Sequence, residues 1–174
     1  MTAPSVARRW LRRLQGPPPR VGMGYDVHPY SDDAGRALVL GGVRFEGERG
    51  LAGHSDADVV AHAAIDALLG AAGLGDIGSH FPDTDPGLVG VDSLVLLSRA
   101  ATLVRDEGWL AGNIDCTVVL DSPKIAPRRA EMQRLLSAAA GAPVTLKGKR
   151  PEGVGALGRG EGVACWAVAV VSAR

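Results

Sequence analysis

The stretch HSDADVVAHAAIDALLGAAG, residues 54–73, reads as one helix, because alanine and leucine dominate it and both favour helical backbone. Ser55 and Asp58 form the S-x-x-D pattern of a capping box, which puts the helix start at Ser55. His62 falls about two turns inside. Asp58 at i−4 and Asp66 at i+4 share its face, where one of them can accept a hydrogen bond from the imidazole and fix its tautomer. A lone helical histidine is ordinarily a surface or core residue, so its meaning depends on what the rest of the chain brings to it.

N-terminal to this helix, RVGMGYDVH (20–28) reads as a strand, and ALVLGGVRFE (37–46) as a second strand or hairpin arm interrupted by the Gly41-Gly42 pair. Side chains i and i+2 of a strand point the same way, so Asp26 and His28 project together from one face as a pair of metal ligands. With His62 one hairpin later, Asp, His and His make a three-residue set that leaves a fourth tetrahedral position open, as a catalytic zinc requires. His54 and Ser55 add a different chemistry. At a capped helix N-terminus, backbone N–H groups and the helix dipole favour an anion, and an imidazole and a hydroxyl can join them around a phosphate.

Downstream, GLGDIGSHFPDTDPG (73–87) is too rich in glycine, proline and aspartate for helix or strand and reads as a long functional loop. DSLVLLSRAATLVRDEG (92–108) is a second helix capped by Asp92, and PRRAEMQRLLSAAAG (127–141) a third ending at Gly141; both are plain core helices. NIDCTVVL (113–120), VTLKG (144–148) and GVACWAVAVVSA (162–173) are strands. Strands and helices therefore mix, with one early hairpin and several helical crossovers. The expected fold is α+β: a single mixed sheet of four to five strands with helices mainly on one face.

Composition narrows the function classes. The chain's 174 residues suit one domain, and its 19 basic residues equal its 19 acidic ones, so no global field draws it to nucleic acid or an anionic membrane. No stretch approaches the roughly 18 apolar residues of a membrane span. Cys116 and Cys165 lie in apolar, strand-like runs without metal-ligand spacing and read as buried reduced thiols, which suits a reducing bacterial cytoplasm. Residues 1–20, MTAPSVARRWLRRLQGPPPR, stand apart from the domain at 21–174: arginine-rich, acid-free and closed by a proline-rich break. An organelle transit peptide or surface-binding helix shares that composition, but a poorly ordered bacterial extension is the expected state.

Taken together, RVGMGYDVHPY, GLAGHSDADVVAHAAIDALLGAAGLGDIG, HFPDTDP, SPKIAP and GRGEGVAC resemble, in order and spacing, the 2-C-methyl-D-erythritol 2,4-cyclodiphosphate synthase family of non-mevalonate isoprenoid synthesis. The resemblance runs from about residue 20 to the C-terminus. It implies a zinc ion on Asp26, His28 and His62, and substrate phosphate at His54 and Ser55. It puts Asp76, Ile77 and Gly78 beside the ribose or methylerythritol portion, and Phe81 to Asp85, with Asp83 and Asp85, in a loop closing over it. Leu120 to Ala126, with Lys124, would form the cytidine and diphosphate pocket. Glu152 would hold a second divalent ion, magnesium or manganese, bridging the diphosphate. Family members are homotrimers with active sites between subunits. His54, Lys124 and Glu152 are the implied catalytic residues.

The implied reaction is an intramolecular phosphoryl transfer in which the 2-phosphate of a cytidine diphosphate ester of methylerythritol attacks the β-phosphorus and CMP leaves. The attacking phosphate is already anionic, so positioning and charge neutralisation replace a general base. Two departures from the family stand out. Where relatives carry a threonine run before the glutamate, this chain has GKRPE (148–152), in which Lys149 and Arg150 offer charge instead of hydroxyls and Pro151 lacks a backbone donor. Ala156 and Trp166 replace residues that, with Arg159, line a trimer-axis cavity in relatives. Two other readings stay open: a catalytically weak phosphometabolite-binding relative, and a zinc-dependent phosphohydrolase using a metal-activated water.

Overall fold

The computed structural model describes residues 17–174. The expectation for the arginine-rich extension falls almost wholly on residues outside that range. β1 (Arg20–Pro29) begins directly after the proline-rich break, and β2 (Leu38–Leu40) and β3 (Val43–Phe45) form the early hairpin around Gly41 and Gly42, both at positive φ. α1 (Val59–Ala72) follows, then α2 (Ile77–His80), a 3-10 turn (Pro86–Leu88) and α3 (Ser93–Asp106). The chain continues through β4 (Trp109–Val119), α4 (Arg129–Ala140), β5 (Val144–Lys149), α5 (Gly155–Gly158) and β6 (Gly162–Ala173).

The main sheet is mixed and four-stranded in the order β1-β6-β4-β5, with β4 and β5 parallel and the other neighbours antiparallel. The expected α+β class holds. The hairpin does not join the main sheet, however; β2 and β3 pair only with each other, so the single-sheet expectation is corrected to two sheets among the described residues. The hairpin is held elsewhere: its turn donates Gly41 N and Gly42 N to Asp58, and Leu38, Leu40, Val43 and Phe45 join the buried core. β4 also starts earlier than the sequence suggests, because Gly112 is absorbed as a bulge between Ala111 and Asn113 rather than ending the strand.

α1 packs on β1 and β6, α3 on α1, and α4 on β5 and α3. Ile65, Leu68, Leu69, Leu97, Met132 and Leu136 meet Ile114, Cys116, Val118 and Val163 in one buried core. The approach of α1 to β1 depends on two glycines. A Cβ on Gly22 would stand 2.2 Å from the Ala67 carbonyl oxygen, and one on Gly24 2.0 Å from that of Ala63. Period-two alternation puts Asp26 and His28 on the same side of β1 as those glycines. The opposite side carries Val21, Met23, Tyr25 and Val27, which with Trp166 and Val168 of β6 form an exposed apolar sheet face. Tyr25 and Trp166 face each other across the strands with ring centroids 4.9 Å apart.

Candidate metal centre and its cleft

α1 starts at Asp58, not at Ser55 as the capping pattern suggests. Asp58 caps the helix by accepting from the Val60 and Ala61 N–H groups, and it also receives Gly41 N and Gly42 N from the hairpin. Ala57 has φ 59, a left-handed conformation that stops helical backbone from extending back to Ser55. This changes the case for an anion at the helix N-terminus, since Asp58 itself occupies those donors. His54 and Ser55 instead sit on the preceding loop. Burial pushes the Asp58 carboxyl up, aided by the nearby charge of Asp56 and only partly offset by the hairpin N–H groups, to about 6.

The strand and helix bring Asp26, His28 and His62 together, with one donor atom from each within 4.8 Å of the others. Asp26 Oδ2 lies 3.0 Å from His28 Nε2 and 2.9 Å from His62 Nδ1, and the two nitrogens are 3.2 Å apart. Zinc bonds of about 2.0–2.1 Å in tetrahedral geometry separate adjacent donors by about 3.3 Å, so one carboxylate oxygen and two imidazole nitrogens at these distances fit such an ion. Burial raises the Asp26 carboxyl, but hydrogen bonds and charge from His28 and His62 outweigh it and hold the group well below the usual carboxylate range. Burial lowers His28, yet Asp26 outweighs that and raises it above its ordinary value.

Neither Asp58 nor Asp66 holds the far side of His62. Asp58 is committed to its cap, and Asp66 accepts from the Ile77 N–H at 2.7 Å. The partners of His62 Nε2 are Ser93 Oγ at 2.9 Å and Ser55 Oγ at 3.1 Å. No pattern in the sequence singles out Ser93, because it reaches His62 only through the packing of α3 on α1.

These three side chains open into a cleft of about 480 Å³ that also takes in His54, Ser55, Ile77, Gly78, Phe81 and Asp83. Arg36 organises its rim: Nε donates to the Leu51 carbonyl at 3.0 Å and Nη2 to those of Gly53, at 3.1 Å, and Ser55. His54 Nε2 donates to the Asp85 carbonyl at 2.9 Å, tying the two loops together. The segment 73–87 is not wholly irregular. Asp76 caps α2 through the Ser79 N–H and Asp85 caps the 3-10 turn through Gly87 N, so short-range carboxylate caps create helical turns in a glycine-rich stretch. Those roles turn Asp76 and Asp85 to the backbone, and neither lines the cleft.

The remaining expected residues lie elsewhere. Lys124 and Arg150 line a second, smaller cavity of about 180 Å³ with Leu120, Ile125, Arg129 and Lys149. Glu152 is exposed in a left-handed turn at φ 51, where the Pro151 carbonyl accepts from Val154 N, and Arg159 pairs with Glu161 at 2.6 Å. Neither lines either cavity. Cys116 and Cys165 are free and buried. Among the described residues, no helix is long and apolar enough to cross a membrane.

Residues 19–172 match the YgbB family. The 2-C-methyl-D-erythritol 2,4-cyclodiphosphate synthase of Bordetella petrii is 54% identical over 158 residues, covering 89% of this chain and 96% of that protein. The bifunctional enzyme IspD/IspF of Anaeromyxobacter dehalogenans is 52% identical over 174 residues, covering 98% of this chain; the chain spans 44% of the length of that relative. Among solved structures, IspF of Plasmodium falciparum in a CDP complex superposes with a TM-score of 0.77 at 30% identity, covering 90% of this chain and 97% of that one.

Proposed function

This chain belongs to the YgbB family, and we propose that it converts 4-diphosphocytidyl-methylerythritol 2-phosphate to methylerythritol 2,4-cyclodiphosphate with release of CMP. The observation that carries this reading is the convergence of Asp26 Oδ2, His28 Nε2 and His62 Nδ1 at the floor of a cleft lined by His54 and Ser55. Zinc on that triad and magnesium or manganese on Glu152 would supply Lewis-acid neutralisation of the phosphoryl oxygens. An exposed single carboxylate suits magnesium, which keeps most of its shell for water and substrate phosphate.

The chain's own groups do the positioning. His54 and Ser55 hold the 2-phosphate, and Ile77, Gly78, Phe81 and Asp83 bound the methylerythritol portion, with Asp76 and Asp85 fixing the backbone of that wall. Lys124 and Arg150 meet the cytidine diphosphate. As an oxygen of the 2-phosphate bonds to the β-phosphorus, the bond to the CMP oxygen breaks and CMP leaves as an anion. Holding both ends of one substrate this way can supply about 7–11 kcal/mol of the barrier.

A homotrimer with sites between subunits accounts for two features at once. The expected substrate residues that line a cavity divide between two cavities of one chain, and the face formed by Val21, Met23, Tyr25, Val27, Trp166 and Val168 is apolar and exposed in the single chain. The two buried free cysteines suit a cytoplasmic setting. The GKRPE loop favours one alternative, a slow relative that chiefly binds the phosphometabolite. Incubation with the cytidine diphosphate substrate, zinc and magnesium, followed by phosphorus NMR, tests these readings. Cyclic diphosphate and CMP are expected; binding without product would favour the alternative, and a hydrolysed ester would indicate a phosphohydrolase.

A further inference from the structure

Behind the metal-facing side of His62 lies a partly buried chain of polar groups drawn from three segments. Ser93, the first residue of α3, is fully buried, and its Oγ stands 2.9 Å from His62 Nε2. Both donors of Ser93 are committed to one carboxylate: Oγ donates to Asp56 Oδ1, and the backbone N–H to Asp56 Oδ2 at 3.1 Å. Asp56 is itself fixed, with its N–H on the Val91 carbonyl at 3.1 Å and its Oδ1 accepting from Asp58 N at 3.1 Å.

Counting protons along this chain decides the chemistry of the histidine. A carboxylate only accepts, so the single hydroxyl proton of Ser93 goes to Asp56. Ser93 Oγ therefore meets His62 as an acceptor, and the imidazole must carry its proton on Nε2. In the neutral ring that leaves Nδ1 with a bare lone pair, 2.9 Å from an oxygen of Asp26 and 3.2 Å from His28 Nε2. With His28 neutral as well, three lone pairs converge on one point, a repulsive arrangement that a cation standing there relieves.

The same count bears on Ser55. Its Oγ accepts from the Ala57 N–H at 3.2 Å and lies 3.1 Å from His62 Nε2 and 3.3 Å from Ser93 Oγ. With Nε2 protonated, that nitrogen cannot accept the Ser55 hydroxyl proton. The proton can go to the second lone pair of Ser93 Oγ or to an anion in the cleft.

We propose that Ser93, locked by Asp56, is the positioning residue that presents the Nδ1 of His62 to the metal. The proposal rests on the reading of Asp26, His28 and His62 as the metal site. Outer hydrogen-bond partners of a ligating histidine fix its tautomer and ring orientation, and their loss ordinarily weakens metal binding by about 10–100-fold.

The test uses the full chain, with zinc affinity measured by chelator competition and the His62 Nε2–H followed by NMR of nitrogen-labelled histidine in the zinc-loaded protein. Ser93→Ala is expected to weaken zinc by about 10–100-fold and to shift the Nε2–H signal and speed its exchange, since only the longer contact to Ser55 Oγ remains, while circular dichroism stays native. Ser93→Thr, which keeps the hydroxyl, is expected to restore most of the affinity. Asp56→Asn is expected to weaken binding too, and it serves as the second probe if the extra methyl of threonine is not accommodated. Wild-type zinc affinity with an unchanged Nε2–H signal in Ser93→Ala would overturn the proposal. Wild-type affinity in His62→Ala would be a different failure, overturning the metal site itself and this proposal with it.

Discussion

Gly24 lies directly against Ala63, so close that a Cβ on the glycine would stand 2.0 Å from the alanine's carbonyl oxygen. Because Gly22, Gly24, Asp26 and His28 occupy one side of β1, the contact that seats α1 on the strand also sets the distance from Asp26 and His28 to His62. Gly24→Ala must push backbone against backbone. Its cost is expected at or beyond the upper end of the about 1–3 kcal/mol typical of overpacking. Urea denaturation should show the loss, and metal analysis should show depleted zinc; a stable, fully metallated variant would separate the two distances.

Removing the helical histidine tests the candidate centre more directly. His62→Ala deletes one of three protein donors but leaves α1 held by its buried apolar residues, so the chain should stay folded while zinc is lost or greatly weakened. Elemental analysis of the purified variant, beside its circular dichroism, reads both parts. Undiminished zinc would remove His62 from the ligand set.

Protons compete for the same atoms. In metal-free protein His28 is raised above 6.5, so its contribution to stability is fully present below that value and is lost as pH rises through the folded-state value. Asp26 is depressed below 3.8; its contribution is present above 3.8 and is lost as pH falls through its folded-state value. The stabilising pairing of the metal-free cluster therefore holds between those limits. Zinc requires a neutral His28, so its apparent affinity should fall as pH drops through a midpoint above 6.5. Chelator competition between pH 5.5 and 8.5 would show the slope, and a flat profile would contradict it.

The Arg36 guanidinium spans three carbonyls of the loop that carries His54 and Ser55. Arg36→Ala should loosen that loop and lower kcat/KM by up to about 10²-fold, the scale on which small misplacements act. Lysine can reach a carbonyl but lacks the fork, so Arg36→Lys should recover only part. Steady-state kinetics with circular dichroism would distinguish this from unfolding, and unchanged kinetics in Arg36→Ala would dismiss the clamp.

What the sequence discloses follows from how local each cause is. Asp26 and His28 are legible because strand alternation is a period of two residues, and α3 because Asp92 supplies a cap that the structure retains. The start of α1 is not legible, since nothing next to Ala57 announces a left-handed alanine. Nor are Arg36 and Ser93, whose functions depend on segments 15 to 38 residues away in the chain. β4 extends N-terminally beyond the strand read at 113–120, because a bulge accommodates Gly112. His54 and Ser55 line the cleft, but the helix terminus from which the sequence argues for them is already filled by Asp58.

The altered loop decides between a full catalyst and a binder. Lys149 ends β5 in register with Val119, Arg150 lies 3.5 Å from Asp121 and lines the smaller cavity, and Pro151 has no N–H to offer a phosphoryl oxygen. A cation attracts the diphosphate in substrate and transition state alike, whereas preorganised donors act where charge develops, and losing one can cost about 10²–10³-fold in rate. The wild-type chain should therefore bind substrate well and turn it over slowly. Replacing Lys149, Arg150 and Pro151 together by threonine should raise kcat, through the hydroxyls and the recovered N–H, while raising KM because two positive charges are lost. Single-turnover phosphorus NMR separates the effects. A fall in kcat would mean that Lys149 and Arg150 serve as transition-state donors in their own right, and cyclic product from the threonine variant alone would make the wild-type chain a binding protein.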